Sequence, residues 1–404
     1  MPDRVAQRVI DAWTERLAPV MRERAAAWWE VNVAATPANS ARYRKALEAV
    51  EDAAGDAEGF SRLEHAIEEK AEDPRRRRTL AVLRNALLPF QGPKDARTEM
   101  AALTARVQER YSNVRGTVAG KPVSDNEIAA ILESSDDVAL RKAAWEAGKE
   151  VGAVVAKDVR RLAHLRNVVA RALRFSDHRA MELARQEVDE AWLASFLARM
   201  DAGTAAPFAA YKSALDARLA KRFRTTPEAL RPWHHADPFF QQAPAGEGDG
   251  VLAETFRGCD PVALARRTYE PLGFSREVED VLARSDLFPK AGKCQHAFCS
   301  HVDREGDVRV LCNVVPTERW TGTMLHELGH AVYDEDIDRA RGRCARRRTW
   351  RARRRSRCSW GGWSTSPSGS GPSPPSLRRR SAPPPRPARG RRRRTCSSSR
   401  AGCS

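Results

Sequence analysis

The stretch TMLHELGHAVYDEDID, residues 323–338, decides how the rest of this chain is read. Within it, His326-Glu327-Leu328-Gly329-His330 forms an HExxH pattern. On a helix, residues four apart share a face one turn from each other, so both imidazoles point the same way. A single tetrahedral zinc ion can take both nitrogens at about 2.0–2.1 Å. His326 and His330 are therefore the candidate metal ligands. Glu327 follows the first of them directly and points slightly aside, where a carboxylate can reach metal-bound water without becoming a ligand. Zinc lowers the pKa of such a water towards about 7, and a carboxylate there takes its proton as the water attacks a peptide carbonyl. Glu327 is thus the candidate general base. The bland alternative is a chance match on a solvated helix, and the flanking sequence argues against it.

Upstream, Asp307 to Val315 reads DVRVLCNVV, with Val308, Val310, Val314 and Val315 supplying β-branched residues. Glu305-Gly306-Asp307 offers a turn before it, so a strand is predicted, ending at Pro316. Thr317 to Asp336 is then predicted as a helix with Trp320, Met324, Leu325, Leu328 and Val332 on its apolar face. A free edge on the 307–315 strand would pair with an extended peptide lying across the metal. Asp334 lies four residues past His330, about 12 Å along the axis from His326, too far for one ion to bridge. Asp334, Glu335 and Asp336 therefore read as a solvated helix end.

Downstream, the composition changes completely. Residues 339–404 hold 21 of the 70 Lys+Arg residues, all of them Arg, and none of the 53 Asp+Glu. The formal +17 of the chain belongs to this tail, because residues 1–338 alone carry −4. Only Arg, Ala, Gly, Cys, Thr, Trp, Ser, Pro and Leu occur there, and every one except Leu has G or C at the middle base of all its codons. Leu377 is the single exception, so 65 of 66 codons have a middle G or C. A GC-rich gene read out of frame produces that pattern, because the old wobble base becomes the new middle base. Residues from about 339 onward are read as frameshift product, disordered and rich in Arg, Ser and Pro. The alternative is a genuine basic tail that binds nucleic acid or an acidic partner, and any such binding would be non-specific.

The 338 residues before the tail are ample for a large core and are dominated by helical patterns. The N-terminus, MPDRVAQRVIDAWTER, has no apolar run of signal-peptide length. No stretch approaches 18 consecutive apolar residues, so no membrane partner is expected. Cys259, Cys294, Cys299 and Cys312 are too sparse for a disulfide framework, which fits a reducing cytoplasm.

The first 230 residues read as successive helices, with starts at Asp73-Pro74, Thr226-Pro227 and Asp260-Pro261 and a capping box at Ser124 to Glu127. Val138 to Leu173 reads as one long helix that Gly148 and Gly152 weaken in the middle. From Asp189, Trp192, Phe196 and Met200 recur at helical spacing, and Phe208, Tyr211, Leu215 and Leu219 do so on a following helix. Both stripes are read as core faces. Arg231 to Gly250 is a Pro/Gly-rich loop. Its His234 and His235 are weak candidates for zinc ligands, since adjacent histidines tend to point apart. Cys294, His296, Cys299 and His301 look like a second metal site, although their spacing fits no common structural zinc pattern.

Several stretches together resemble the helical zinc oligopeptidases: thimet oligopeptidase, oligoendopeptidase F and, more distantly, angiotensin-converting enzyme. They are LRNVVARALRFSDHRAMELARQEVDE at 165–190, LRPWHHADPFFQ at 230–241, and KCQHAFCSHVDREGDVRVLCNV at 293–314 running into TMLHELGHAVYDEDID. The resemblance covers about 150–338, and residues 1–149 match only in helical character. It implies a mainly α, two-lobed fold with a small β element before the zinc helix, incomplete at the C-terminus. The expected division is an N-terminal helical region at 1–149, the start of a catalytic domain at 150–338, and the tail. It also implies zinc, short peptide substrates, His326 and His330 as ligands and Glu327 as general base. The family's third ligand is a Glu some two dozen residues past the second His, and no acidic residue follows Asp338. An inactive, truncated metallopeptidase is therefore the leading expectation, and a non-catalytic peptide-binding remnant is the other.

Overall fold

Short polar side chains set most of the helix starts in the computed structural model, which describes residues 1–240 and 254–335. Thr36, Asp56, Asp73, Asp137, Asp189 and Asp260 each accept a hydrogen bond from a backbone N–H in the following turn. Each removes one of the donors that a helix start leaves unpaired. Ser124 and Glu127 form the expected reciprocal capping box. Thr226-Pro227 opens only a 3-10 turn, Pro227–Ala229, where an α-helix was expected. Arg231-Pro232 starts a second such turn three residues later and leaves no room for propagation.

The described residues lie in the unit Met1–Pro367. Its helices are α1 Pro2–Val33, α2 Pro37–Ala54, α3 Ala57–Glu68, α4 Pro74–Leu87 and α5 Lys94–Asn113. A small antiparallel pair comes next, β1 Thr117–Val118 and β2 Lys121–Pro122, which no sequence pattern announced. After it come α6 Asp125–Ser134, α7 Val138–Ala172, α8 His178–Arg185 and α9 Glu190–Arg222. α7 runs unbroken through Gly148 and Gly152 and carries the chain across residue 149 without a boundary. α10 Pro261–Tyr269 and α11 Ser275–Arg284 precede the hairpin of β3 Phe298–His301 and β4 Val308–Leu311, and α12 Glu318–Glu335 closes the described chain. The fold is mainly α with a small β element ahead of α12, as expected. Asp336 to Asp338, the tail 339–404 and the second half of the 231–250 loop lie outside the described residues.

One apolar cluster fixes α12. Trp320, Met324, Leu328, Ala331 and Val332 pack with Val308 and Val310 of β4, Val262 and Ala265 of α10, and Val278, Val281 and Leu282 of α11. Full burial of a side chain such as Met324 or Leu328 contributes about 1.5–3 kcal/mol. Helical spacing of the apolar residues predicted this face correctly.

The 307–315 strand is shorter than expected and has no open edge. β3 pairs with one side of it, His301 opposite Val308 and Phe298 opposite Leu311. On the other side, Asp286 N–H donates to the Val310 carbonyl, Cys312 N–H to that of Asp286 and Val314 N–H to that of Leu287. The expectation that an extended peptide would pair with this strand is therefore corrected. β3 is the outer strand of this sheet among the described residues. The 285–287 segment, remote in the pattern that marked the strand, takes the other edge.

Lys293 locks that segment. Its side chain is fully buried, and its Nζ donates to Asp286 Oδ1 at 2.6 Å, to the Phe288 carbonyl at 2.7 Å and to the Asp286 carbonyl at 3.0 Å. Burial pulls the ammonium's pKa down while Asp286 opposes it. Burial works to raise the Asp286 carboxyl, but hydrogen bonds from Lys290 and Lys293 outweigh it and hold it below the usual range. Lys293→Met is expected to destabilise the fold by about 3–5 kcal/mol, because it leaves a half-buried carboxylate and two carbonyls short of a donor. Lys290→Met, at the solvent-facing side of the same carboxylate, is expected to cost at most ~1 kcal/mol. Urea unfolding of the two variants checks this, and equal midpoints would refute the clamp.

Candidate metal centre

The histidines of α12 converge. His326 Nε2 and His330 Nε2 lie 3.1 Å apart, with ring centroids 4.7 Å apart and planes at 83°. Two nitrogens at about 2.0–2.1 Å from one tetrahedral ion sit roughly 3.3 Å apart, so the pair suits a shared metal. Among the described residues no group of three or more His, Cys, Asp or Glu could hold a metal. The donor set present is therefore two imidazoles.

Glu327 sits on the buried side of the same helix and is 9% exposed. Burial pushes its carboxyl up to about 7, while the backbone N–H of Cys299 on β3 pulls the other way. That bond ties the outer strand to the carboxylate. Cys312, just past β4, is pushed up by burial and by the nearby Glu327. The arrangement offers a carboxyl that can take and return a proton beside two metal-competent nitrogens.

The helix is held in register by groups that no motif announced. Tyr269 at the end of α10 donates its hydroxyl to the Leu325 carbonyl at 2.7 Å. A Cβ on Gly329 would come within 3.1 Å of that hydroxyl, so the fourth residue of HExxH is small for a packing reason. Thr317 caps the helix start, its Oγ1 accepting from Trp320 N–H at 3.3 Å. Asn126 at the start of α6 accepts from Trp320 Nε1 at 2.9 Å and donates to the Asn313 carbonyl at 3.0 Å. Thr317 is a local cap, but Tyr269 and Asn126 lie 56 and 194 positions from Leu325 and Trp320, beyond the reach of local periodicity.

β3 is anchored from the N-terminal helices. Phe298 packs on Trp28 and Trp29 of α1, and Cys294 and Leu311 complete that cluster. Ala35 N–H donates to the Gly292 carbonyl and Cys294 N–H to that of Asn32. Gly292 has φ +68°, a conformation that costs little only for glycine, and it turns the chain into this contact.

The other metal candidates separate. Cys294 is buried, its thiol pushed up to about 11 by burial. His296 stacks on Tyr111 with ring centroids 5.7 Å apart and hydrogen-bonds its hydroxyl. His301 accepts from Gly306 N–H at 3.1 Å and closes the hairpin turn. Among the described residues, those at 294–301 form no group of three or more that could hold a second metal. His234 is buried, with Nδ1 accepting from Arg231 N–H at 2.8 Å, and His235 packs edge-on against Phe240. Buried Arg141 donates to the carbonyls of Trp233 and His235 and fixes both histidines as structural groups of this segment. At the helix end, Asp334 is only 8% exposed and Glu335 pairs with Arg284, which corrects the reading of a solvated terminus. α11 packs there, which the local sequence does not reveal.

The sequence model of the angiotensin-converting enzyme family of peptidases matches residues 2–200. The match takes in residues 2–149, where the motifs alone gave only helical character. A solved structure provisionally named oligoendopeptidase F is similar in fold, with a TM-score of 0.58 at 17% identity. The match covers 82% of this chain and 61% of that one, so this chain spans less than two thirds of that neighbour. No curated protein matches the sequence. Among the described residues no helix is long and apolar enough to cross a membrane. Residues 2–200 are thus similar in sequence to the angiotensin-converting enzyme family of peptidases, and the fold is similar to that of the oligoendopeptidase F structure.

Proposed function

We propose that this chain is the larger part of a cytoplasmic zinc-dependent oligopeptidase, a metalloendopeptidase that hydrolyses peptide bonds in short peptides. His326 and His330 would hold the metal, and Glu327 would act as general base. The observation that carries the reading is the 3.1 Å convergence of the two Nε2 atoms with the Glu327 carboxyl buried on the same helix. Zinc, when bound, supplies a Lewis acid that polarises a carbonyl and acidifies water. Glu327 takes the proton of the attacking water at its carboxylate and later delivers it to the leaving amine. Cys299 N–H holds that carboxylate, and the adjoining β3 edge is where an extended peptide would lie.

The tail is proposed to be out-of-frame product, so the carboxylate that would complete the metal site is missing from this chain. Two imidazoles then hold zinc weakly. Loss of an outer-shell partner alone costs about 10–100-fold in affinity, and loss of a ligand costs more. In equilibrium dialysis, zinc is expected to bind one per chain, to be lost with His326→Ala or His330→Ala, and to be stripped by a strong chelator. Binding that ignores both substitutions would overturn the ligand assignment. Stoichiometric zinc retained through the chelator would overturn the incomplete site.

A further inference from the structure

The HExxH turn of α12 is gripped from outside by one hydroxyl. In a helix each carbonyl accepts the N–H four residues on, so that of Leu325 faces the N–H of Gly329. The same carbonyl also accepts the Tyr269 hydroxyl, at 2.7 Å. It belongs to the planar peptide unit whose N–H is that of His326. The hydroxyl also lies over Gly329, where an added Cβ would stand 3.1 Å from it. One oxygen thus touches the residue before each histidine, and the Nε2 atoms of those two histidines meet at 3.1 Å. Tyr269 is itself well fixed. It ends α10, whose Val262 and Ala265 belong to the α12 cluster, and it packs against that cluster. Phe274 N–H donates to its carbonyl at 3.2 Å, across a turn that Gly273 closes at φ +83°. Burial holds the phenol above its usual pKa, so the hydroxyl keeps its proton and donates it.

Docking alone does not require this bond. Without it the Leu325 carbonyl keeps its helical partner, and the apolar cluster still holds α10 to α12. What the second donor adds is direction. A carbonyl that serves a donor outside its helix turns towards it, and the peptide plane turns with it. Two imidazoles on one helix face can share an ion only while their nitrogens stay about 3.3 Å apart. A turn that is free to shift changes that separation. We propose that Tyr269 is a positioning residue, whose hydroxyl sets the 325–329 turn so that His326 and His330 hold one metal ion jointly. The proposal rests on the metal reading of these two histidines and adds the group that aligns them.

The test measures zinc affinity of the full chain by competition with a weak chelator, and the visible absorption of the chain loaded with cobalt(II). Tyr269→Phe keeps the ring and removes only the oxygen. It is expected to weaken zinc about tenfold, the low end of what loss of an outer-shell partner costs. The cobalt spectrum is expected to change, while the metal-free chain keeps its helical circular dichroism and its melting temperature to within a few degrees. Gly329→Ala presses a methyl against the hydroxyl but favours the helix by itself. It is expected to weaken zinc to a similar extent without lowering the melting temperature. Both changes remove the same bond, so the double variant is expected to bind zinc about as each single one does. Unchanged zinc affinity in Tyr269→Phe, or losses that multiply in the double variant, would overturn the positioning role. Weaker zinc accompanied by loss of the helical signal would mark the bond as merely structural and overturn it as well. If Tyr269→Phe does not fold, unchanged affinity in Gly329→Ala overturns the proposal alone. Zinc binding that ignores His326→Ala would overturn the metal reading instead, which separates the two failures.

Discussion

Incubated with zinc and a quenched fluorogenic peptide, this chain is expected to release no product above the buffer rate. The proposed base is in place, but a base alone contributes about 10²–10⁴-fold and acts only on a water that the metal has acidified. The site formed by the described residues offers two nitrogens and no third donor. No acidic residue follows Asp338 to supply one. Catalysis here also needs donors for the developing oxyanion, whose individual loss costs about 10²–10³ in kcat. If cleavage is nevertheless seen, Glu327→Gln decides its origin. The amide keeps the shape and the contact with Cys299 but cannot accept a proton, so true turnover should fall by at least about 100-fold. Such a fall would overturn the expectation of inactivity while supporting Glu327 as base. Equal rates in both proteins would assign the cleavage to a contaminant.

The α12 helix was legible because its chemistry dictates its spacing. A metal that takes two nitrogens from one helix face requires histidines four apart, and the apolar residues between them must then repeat on the opposite face. Helix starts were legible where a short polar residue precedes Pro, as at Asp73 and Asp260, because that pairing satisfies the first turn within a few residues. Thr226-Pro227 carries the same mark and fails, because Pro232 interrupts the chain before a second turn can form. The features that stayed hidden depend on which remote segment docks where. The register of β4 accords with its own residues, but its second edge is filled by 285–287, and nothing in the strand announces that. Burial of Asp334 depends on α11 in the same way. The α9 residues mark the limit most clearly: their spacing suggests a core face, whereas Trp192, Met200, Phe208 and Tyr211 are exposed among the described residues. Glu327, the proposed base, stands out in the motif, whereas its backbone donor on β3 does not, since a backbone N–H carries no sequence signal.

Restoring one base near codon 339 is expected to turn the Arg-rich tail into a helix-forming sequence with a Glu at position 354. This stretch lies outside the described residues, and the genetic code alone carries the expectation. After a one-base deletion, each new codon consists of the old second base, the old third base and the next codon's first base. The excess of middle G or C demands this direction of shift. Trp360 and Trp363 must be TGG, so their old codons ended in TG and encoded Leu, Met or Val. Cys358 begins with TG and gives the same result, while Gly361 and Gly362 come from codons with G in the middle, compatible with Gly or Arg. The hidden frame therefore reads apolar-x-apolar-Gly-(Gly/Arg)-apolar, a sensible helix face where the visible frame has none. Arg354, if its codon is AGG or AGA, begins with AG, the end of the Glu codon GAG. It stands 24 residues past His330, the interval at which the resembled family places its third ligand. A carboxylate there would complete a three-ligand site with an open position for water, the form that hydrolytic zinc requires. The frame-restored protein is expected to keep one zinc through the chelator that strips this chain, and to cleave the fluorogenic peptide in a Glu327-dependent way. The DNA decides first. A codon other than AGG or AGA at Arg354 excludes the Glu, and a restored frame that soon meets a stop refutes the frameshift account.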